Sequence, residues 1–322
     1  MAAAPPLGAR LKAGLNLFFL IAWSALCLHA ATYYVTIAGL GGTPEYETQF
    51  QKWAADLDRQ FRQNGSDAHV ETISGSAATR QHIQDVFSRL AQEAQPDDAI
   101  ALLLIGHGTF DGTDYKFNIP GPDITAADLS SLLNRIRAGR QLVVNMTSCS
   151  GASLAKLAKK DRIVITATKS GTEKNATVFA RYWVDALQDP AADTDKNGTI
   201  STLEAFRYAQ QKTAAYFESE KLLATEHAQF TDAGSLNAVR DPKPENGQGL
   251  LAAAFPMVRP EAQTPAAVLN PEKQKLLSRK QDLEAKIDQL KYRKAALPED
   301  RYKEELTALL LQLARTQAEI DK

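Results

Sequence analysis

Short apolar runs along the chain alternate with longer segments in which apolar residues recur every three or four positions. The run TYYVTIA at residues 32–38 is rich in β-branched and aromatic residues, which is typical of a strand. In the segment that follows, Phe50, Trp53 and Leu57 fall on one face of a helix. The same alternation predicts strands at residues 69–73, 99–105, 141–146 and 162–168, and helices at residues 79–93, 125–136 and 177–187. It indicates an α/β fold with a mainly parallel sheet covered by helices.

The pattern changes toward the carboxyl end of the chain. Residues 237–270 combine several prolines with polar residues, which predicts an extended linker. Leucines then recur at heptad spacing from Leu276 onward, and a second amphipathic segment begins after Pro298. Two such helices joined by a short turn predict an antiparallel hairpin, or coiled coil, over residues 271–322. Because this hairpin is too small to hold a stable core alone, we expect it to dock or to self-associate.

The first 30 residues have the layout of a secretory signal peptide. Arg10 and Lys12 precede the apolar run at residues 15–28, and small residues follow it. The run is shorter than the roughly 20 apolar residues of a membrane-spanning helix. We therefore predict a signal peptide over residues 1–30, a main domain over residues 31–236, and a periplasmic or secreted protein. The alternative is an uncleaved segment that tethers the protein to a membrane.

Composition adds little about partners but draws attention to one thiol. The chain has 37 Lys and Arg against 38 Asp and Glu, so nothing in its net charge of -1 indicates a nucleic acid or an anionic membrane as a partner. Cleavage of the signal peptide would remove Cys27 and leave Cys149 without a disulfide partner inside the chain. An unpaired cysteine in an exported protein calls for a chemical explanation.

Two glycine-flanked motifs follow predicted strands. The motif IGHG places His107 after the third strand, and the motif TSCSG places Cys149 after the fourth. Catalytic groups of such sheets collect at the carboxyl ends of the strands, so we expect the two side chains to meet. The imidazole could then accept the thiol proton, and the amides of Gly108 and Cys149 could bind an oxyanion. A cysteine or a histidine alone is more often structural; the two together favour catalysis.

In this order the motifs resemble the caspase-like clan of cysteine peptidases, specifically its legumain-type (C13-like) branch, which includes the peptidase subunit of the GPI transamidase. The resemblance covers roughly residues 32–235 and includes TYYVTIAGLGG, IGHG, TSCSG and the later ITATKSG. It implies a three-layer αβα sandwich and an exported, bacterial-type member of the branch. It also implies a polypeptide substrate, with Cys149 as the nucleophile and His107 as the general acid and base.

The chain departs from this branch in the loop after the first strand. Legumain-like enzymes carry an asparagine and then an arginine there, whereas this chain has Gly41 and Glu47 near the corresponding places. The preferences of legumain for asparagine and of caspases for aspartate therefore do not transfer to this chain. A glutamate lining the substrate pocket would favour a basic side chain; its alternative role is that of an ordinary surface residue.

The segment DTDKNGTISTLE at residues 193–204 matches the calcium-binding loop of an EF-hand. Gly198 occupies the sixth position, where the loop needs a sharp turn. The predicted ligands, at positions 1, 3, 5, 7, 9 and 12, are Asp193, Asp195, Asn197, Thr199, Ser201 and Glu204. A single loop lacks the paired partner of calcium sensors, so we expect a structural Ca²⁺ ion. The alternative is an acidic turn that has lost its affinity for the ion.

Three functions remain open from the sequence. The first is an exported cysteine endopeptidase, or an amide-transferring relative, that uses Cys149 and His107. The second is a catalytically silent scaffold that recruits partners through the helices of residues 271–322. The third is a calcium-binding module whose α/β body only presents the loop.

Overall fold

The computed structural model of the protein describes residues 30–232, 234, 237–244, 247–259, 271–292, 294 and 297–320. All but the last residue of the predicted signal peptide lies outside the described residues, and so does part of the predicted linker. Among the helices that are described, none combines the length and apolar character needed to cross a membrane.

Strands and helices alternate along most of the chain, as the sequence predicted. The strands are β1 (Thr32–Ala38), β2 (Ala68–Ile73), β3 (Ala99–Ile105), β4 (Gly108–Phe110), β5 (Tyr115–Phe117), β6 (Ile124–Thr125), β7 (Arg140–Asn145), β8 (Arg162–Thr166), β9 (Ile200–Ser201), β10 (Gln229–Thr231) and β11 (Pro256–Val258). The helices are α1 (Pro44–Arg62), α2 (Arg80–Glu93), α3 (Ala126–Arg135), α4 (Leu154–Leu157), α5 (Phe179–Ala186), α6 (Thr202–Ser219), α7 (Leu250–Ala253), α8 (Pro271–Tyr292) and α9 (Glu299–Ile320).

A six-stranded sheet forms the centre of the main domain, in the order β10-β8-β7-β3-β1-β2. The five predicted strands pair in parallel, and β10 adds an antiparallel edge beside β8. A separate three-stranded sheet of β4, β5 and β6 follows β3. The mainly parallel sheet that the sequence predicted is therefore confirmed.

Helices cover both faces of this sheet. In β3, Leu103 and Ile105 belong to the apolar cluster that contains residues of α1, α5 and α6. Leu102 and Leu104 belong to the other cluster, which contains residues of α2, α3 and α4. Because successive side chains of a strand point to opposite faces, an uninterrupted apolar strand is what a sheet buried on both sides requires. The architecture is the expected three-layer αβα sandwich.

The predicted linker is wrong for residues 247–259, which pack on the main domain. Phe255 is 2% exposed and Met257 is fully buried. The side-chain amide of Asn64 donates to the Met257 carbonyl at 2.6 Å, and β11 pairs with β9. Prolines are tolerated in such a short edge strand, where a backbone N–H is dispensable. The apolar stretch LLAAAFPMV in this segment provides the buried surface that an extended linker would lack.

The two carboxyl-terminal helices pack against each other as a hairpin. In α8, Leu283, Ile287 and Leu290 are buried, and this helix contacts both α9 and α7. Two of the heptad leucines, Leu283 and Leu290, are therefore among the buried residues of this helix, and the coiled-coil seam stays a prediction.

The burial of Phe255 gives a test of the packed segment. We expect Phe255→Ala to lower the free energy of unfolding by about 3–5 kcal/mol, because it leaves a cavity in the core. Leu223→Ala is the matched control, since Leu223 is 90% exposed and should change stability by less than about 0.5 kcal/mol. Chemical denaturation measures both values, and equal effects of the two substitutions would contradict the packing described here.

Candidate active site

Two loops leave the same edge of the sheet side by side. Strands β3 and β7 are parallel neighbours, with Leu104 opposite Asn145, so His107 and Cys149 follow adjacent strand ends. Between the loops, the Gly108 amide donates to the Ser148 hydroxyl at 3.1 Å. The same hydroxyl donates to the Gly108 carbonyl at 2.9 Å. Ser148, the residue before Cys149, is therefore hydrogen-bonded to Gly108, the residue after His107.

His107 sits in a partly buried place formed by α1 and the loop before it. Its ring has edge contacts with the rings of Tyr46 and Phe50, at centroid distances of 5.0 and 5.2 Å. Its Nε2 lies 3.1 Å from the Gly41 carbonyl oxygen. Because a carbonyl only accepts, Nε2 carries the hydrogen and Nδ1 is left as the basic nitrogen. Burial lowers the pKa of His107, against the opposing effect of the Gly41 carbonyl, so the imidazole is neutral at pH 7.

Cys149 lies at the start of a short 3₁₀ turn in an unusual backbone conformation. Its φ of 57° is left-handed, which costs a non-glycine residue about 1 kcal/mol or more. The residue is only 2% exposed and belongs to an apolar cluster of the core. Burial raises the pKa of the Cys149 thiol, while Lys174 and the Phe110 amide act in the opposite direction. The resting pair is therefore a neutral thiol and a neutral imidazole.

The two amides that the sequence assigned to an oxyanion hole are both occupied in this conformation. The Gly108 amide donates to Ser148, and the Cys149 amide donates to the Glu173 carbonyl at 2.8 Å. A Cβ on Gly108 would lie 2.5 Å from the Ser148 carbonyl oxygen, so glycine permits this close approach. Glycine therefore brings the loops together here, and the role of the two amides as oxyanion donors stays a prediction.

The loop that carries Glu173 is held by residues that the sequence analysis missed. The Glu173 carboxylate accepts hydrogen bonds from the backbone amides of Lys169 at 2.8 Å and His227 at 3.2 Å. Its other oxygen is bonded to the His227 ring. Next to it, Glu226 accepts from the Val178 amide at 2.9 Å, at the start of α5. Burial raises the pKa of Glu226 to about 7 despite its amide partners. No local pattern marks the contacts of His227 with Glu173 and of Glu226 with Val178, since they join residues about fifty positions apart.

A buried polar network shapes the turn before Cys149. The hydroxyls of Tyr115 and Thr147 are 2.6 Å apart, and Thr147 donates to Asn145 Oδ1 at 2.8 Å. The Asn145 side-chain amide donates to Ser153 at 3.0 Å. Because buried polar groups with partners on several elements fix one arrangement, this network sets the position of the thiol.

The acidic loop lies between α5 and α6 in the chain. Carboxylate oxygens of Asp193, Asp195 and Glu204 lie within 4.8 Å of one another, so these three residues could hold a metal ion. The amide of Gly198, whose φ is 81°, donates to Asp193 at 2.9 Å. These features fit the sharp turn and the carboxylate ligands that the sequence predicted.

The remaining predicted ligands have partners within the loop. The Thr199 amide donates to Asn197 Oδ1 at 2.8 Å. The Ser201 hydroxyl donates to Glu204 at 2.8 Å and caps α6. Ile200, at the eighth loop position, lies opposite Val258 of β11. A strand of the packed carboxyl-terminal segment thus pairs with the end of the acidic loop.

A mainly apolar cavity of about 320 Å³ lies far from the strand-end loops. Its lining includes Gln141 and Ile163, which are the second residues of β7 and β8, and Leu250 and Phe255. Since it opens at the amino ends of these strands, it is separate from the candidate active site.

A match to a known protein family agrees with this architecture. The sequence pattern of the Peptidase C13 family matches residues 69–233, which is slightly more than half of the 322 residues. A crystal structure of protein GSU0716 from Geobacter sulfurreducens is similar, with 12% identity and a TM-score of 0.43, over 64% of this chain and 94% of that chain. No curated protein matches the chain.

The neutral state of the thiol gives a pH test. We expect alkylation of Cys149 by iodoacetamide to keep accelerating above about pH 8.5, the ordinary pKa of a cysteine, because burial disfavours the thiolate. The rate is measured by mass spectrometry of the peptide that contains Cys149, with Cys149→Ala as the control. A plateau that begins at acidic pH would indicate a preformed thiolate and imidazolium pair and would contradict the description.

Proposed function

This chain belongs to the Peptidase C13 family, and from that premise we propose that it is a cysteine endopeptidase with Cys149 as its nucleophile and His107 as its general base. The observation that carries the proposal is the bridge made by Ser148. Its two hydrogen bonds with Gly108 hold the loops of the nucleophile and the base together at neighbouring strand ends. The substrates are polypeptides, as the family implies.

The proton transfer follows from the state of the two groups. Nδ1 of the neutral His107 accepts the proton of the Cys149 thiol, and the thiolate attacks the carbonyl carbon of the scissile peptide bond. The C–N bond then breaks, and the imidazolium returns its proton to the leaving amine. Water, activated by the same imidazole, hydrolyses the thioester and regenerates the thiol. An amine in place of water would give transpeptidation.

Catalysis also requires an exchange of partners at the Cys149 amide. In the resting structure this amide donates to the Glu173 carbonyl. The developing oxyanion needs the same donor, because a tetrahedral intermediate is stabilised by amides that point at its oxygen. Substrate binding therefore displaces the Glu173 carbonyl, and the loop of residues 168–178 is the part that moves.

Two observations favour a different function, that of a catalytically silent scaffold. The thiol is 2% exposed, and both candidate oxyanion donors are bonded within the protein. In this alternative the α8 and α9 hairpin recruits partners or self-associates, using exposed residues such as Leu310 and Leu311. Labelling of the thiol, described below, distinguishes the two functions.

We further propose that the acidic loop binds a structural calcium ion. Carboxylate oxygens gathered within 4.8 Å suit a hard cation. Because Ile200 pairs with β11, an ion in this loop would brace the attachment of residues 256–258 to the main domain. Calcium concentrations outside the cytoplasm are compatible with this role, since extracellular sites work with dissociation constants of about 10⁻⁴ to 10⁻³ M.

The proposed location is the periplasm or the extracellular space. It is supported only by the sequence of the first 30 residues, and a retained segment would instead tether the protein to a membrane. A polypeptide is the proposed partner, and nothing in the charge supports a nucleic acid.

Labelling with an electrophilic peptide tests the catalytic proposal. We expect a peptidyl vinyl sulfone library to modify Cys149 at neutral pH. His107→Ala should slow the reaction by about 10²-fold or more, which is the lower range of general-base catalysis. The matched control is His82→Ala, on α2, which should leave the rate unchanged. No labelling, or labelling that does not depend on His107, would support the scaffold.

Thermal unfolding with added calcium tests the ion site. At about 10 mM calcium, ten times the weakest expected dissociation constant, we expect a stabilisation of about 1.4 kcal/mol. Asp193→Asn should abolish this gain, whereas Asp85→Asn, on α2, should retain it. An unchanged melting temperature of the wild-type protein at every calcium concentration would contradict the proposal.

A further inference from the structure

In the loop after β1, both backbone polar groups of Gly41 have hydrogen-bond partners outside the loop. The Gly41 amide donates to Glu47 Oε2 at 2.9 Å, and the Gly41 carbonyl receives His107 Nε2 at 3.1 Å. A Cβ on Gly41 would lie 2.2 Å from the Glu47 backbone nitrogen. Glycine is therefore required where the loop touches the first turn of α1, and the two polar groups of Gly41 point at Glu47 and His107.

Glu47 is itself held in place by α1. Its backbone amide donates to the carbonyl of the helix cap residue Thr43 at 2.9 Å. Its second carboxylate oxygen accepts from Gln51, one turn further along, at 2.9 Å. Both carboxylate oxygens thus have partners within the protein, which leaves this side chain poorly placed to receive a substrate residue.

The same helix also supplies the aromatic contacts of His107. Tyr46 precedes Glu47, and Phe50 lies one turn beyond it; both rings contact the imidazole. The first two turns of α1 therefore contact the imidazole ring directly through Tyr46 and Phe50. They also position its Nε2 atom indirectly, through Gly41. The neighbouring Gly42 has a φ of 75° and open space around it, so its backbone conformation rather than a close contact favours glycine there.

We propose that Glu47 is a positioning residue for catalysis, which acts on His107 through the backbone of Gly41. Its carboxylate fixes the Gly41 amide, and the Gly41 carbonyl in turn keeps the hydrogen of His107 on Nε2. Nδ1 then remains the basic nitrogen, the atom that receives the thiol proton in the proposed reaction. Glu47 touches neither substrate nor thiol in this role. The inference rests on the proposed function, because it needs His107 to be the general base.

The role requires a hydrogen-bond acceptor at this position rather than a charge. Glu47→Gln keeps an oxygen that can accept from the Gly41 amide, whereas Glu47→Ala removes it. Without the acceptor, the Gly41 carbonyl is free to turn away and the imidazole loses its orientation. A misplacement of about 1 Å in a catalytic group costs on the order of 10²-fold in rate.

Inactivation kinetics of the full chain with a peptidyl vinyl sulfone test the inference. We expect Glu47→Ala to lower the maximal inactivation rate by on the order of 10²-fold, with the inhibitor's half-saturation concentration unchanged. Glu47→Gln should restore most of the rate. Glu45→Ala, on the same helical turn and exposed, is the matched control for the loss of a negative charge and should react like the wild type.

A double-mutant cycle separates this inference from the proposed function. In a His107→Ala background, Glu47→Ala should cause no further loss, because its effect passes through the imidazole. If His107→Ala leaves the wild-type rate unchanged, the proposed function fails. If His107→Ala slows the reaction but Glu47→Ala does not, only the role of Glu47 fails. A higher half-saturation concentration for probes with Lys or Arg, at an unchanged maximal rate, would place Glu47 in the substrate pocket instead.

Discussion

The parallel pairing of β3 with β7 is the constraint on which the candidate site depends. Parallel strands end at the same edge of a sheet, and the crossover through α3 returns the chain to that edge. The loops that contain His107 and Cys149 therefore begin at neighbouring strand ends. No direct contact between the two residues is needed to place them there. The buried apolar faces of both strands hold this register, because a slip by one residue would turn every side chain to the opposite face.

Burial at this edge acts on the protonation of both candidate reactive groups in the same sense. It favours the neutral forms of both Cys149 and His107, so a reactive thiolate has to be produced by proton transfer during the reaction. Each pKa unit by which burial disfavours the thiolate corresponds to about 1.4 kcal/mol. In the proposed reaction, a covered, neutral thiol would stay inert until a polypeptide moves the loop containing Glu173. The left-handed backbone of Cys149 is consistent with strain maintained by the surrounding network of Asn145 and Thr147.

The segment after residue 237 shows why its composition wrongly predicted an extended linker. Prolines and polar residues there are typical of extended chain, yet Phe255 and Met257 are buried. Their burial depends on α6 and on β9, which present an apolar surface and an unpaired strand edge. A segment of this kind has no periodicity of its own, and its fold is decided by the surface on which it packs.

The order of strands and helices, the two buried faces of β3 and the placement of His107 and Cys149 at strand ends were all determined by the sequence. These features depend on the periodicity of side chains along a strand or helix, which the backbone geometry fixes locally. The partners of the Gly108 and Cys149 amides, the hydrogen bond between Glu47 and Gly41 and the raised pKa of Glu226 were decided only by the tertiary structure. Each of these depends on where a folded loop or helix places a polar group next to a backbone segment, and on how far that group is removed from water. Neither quantity is encoded in the spacing of residues along the chain.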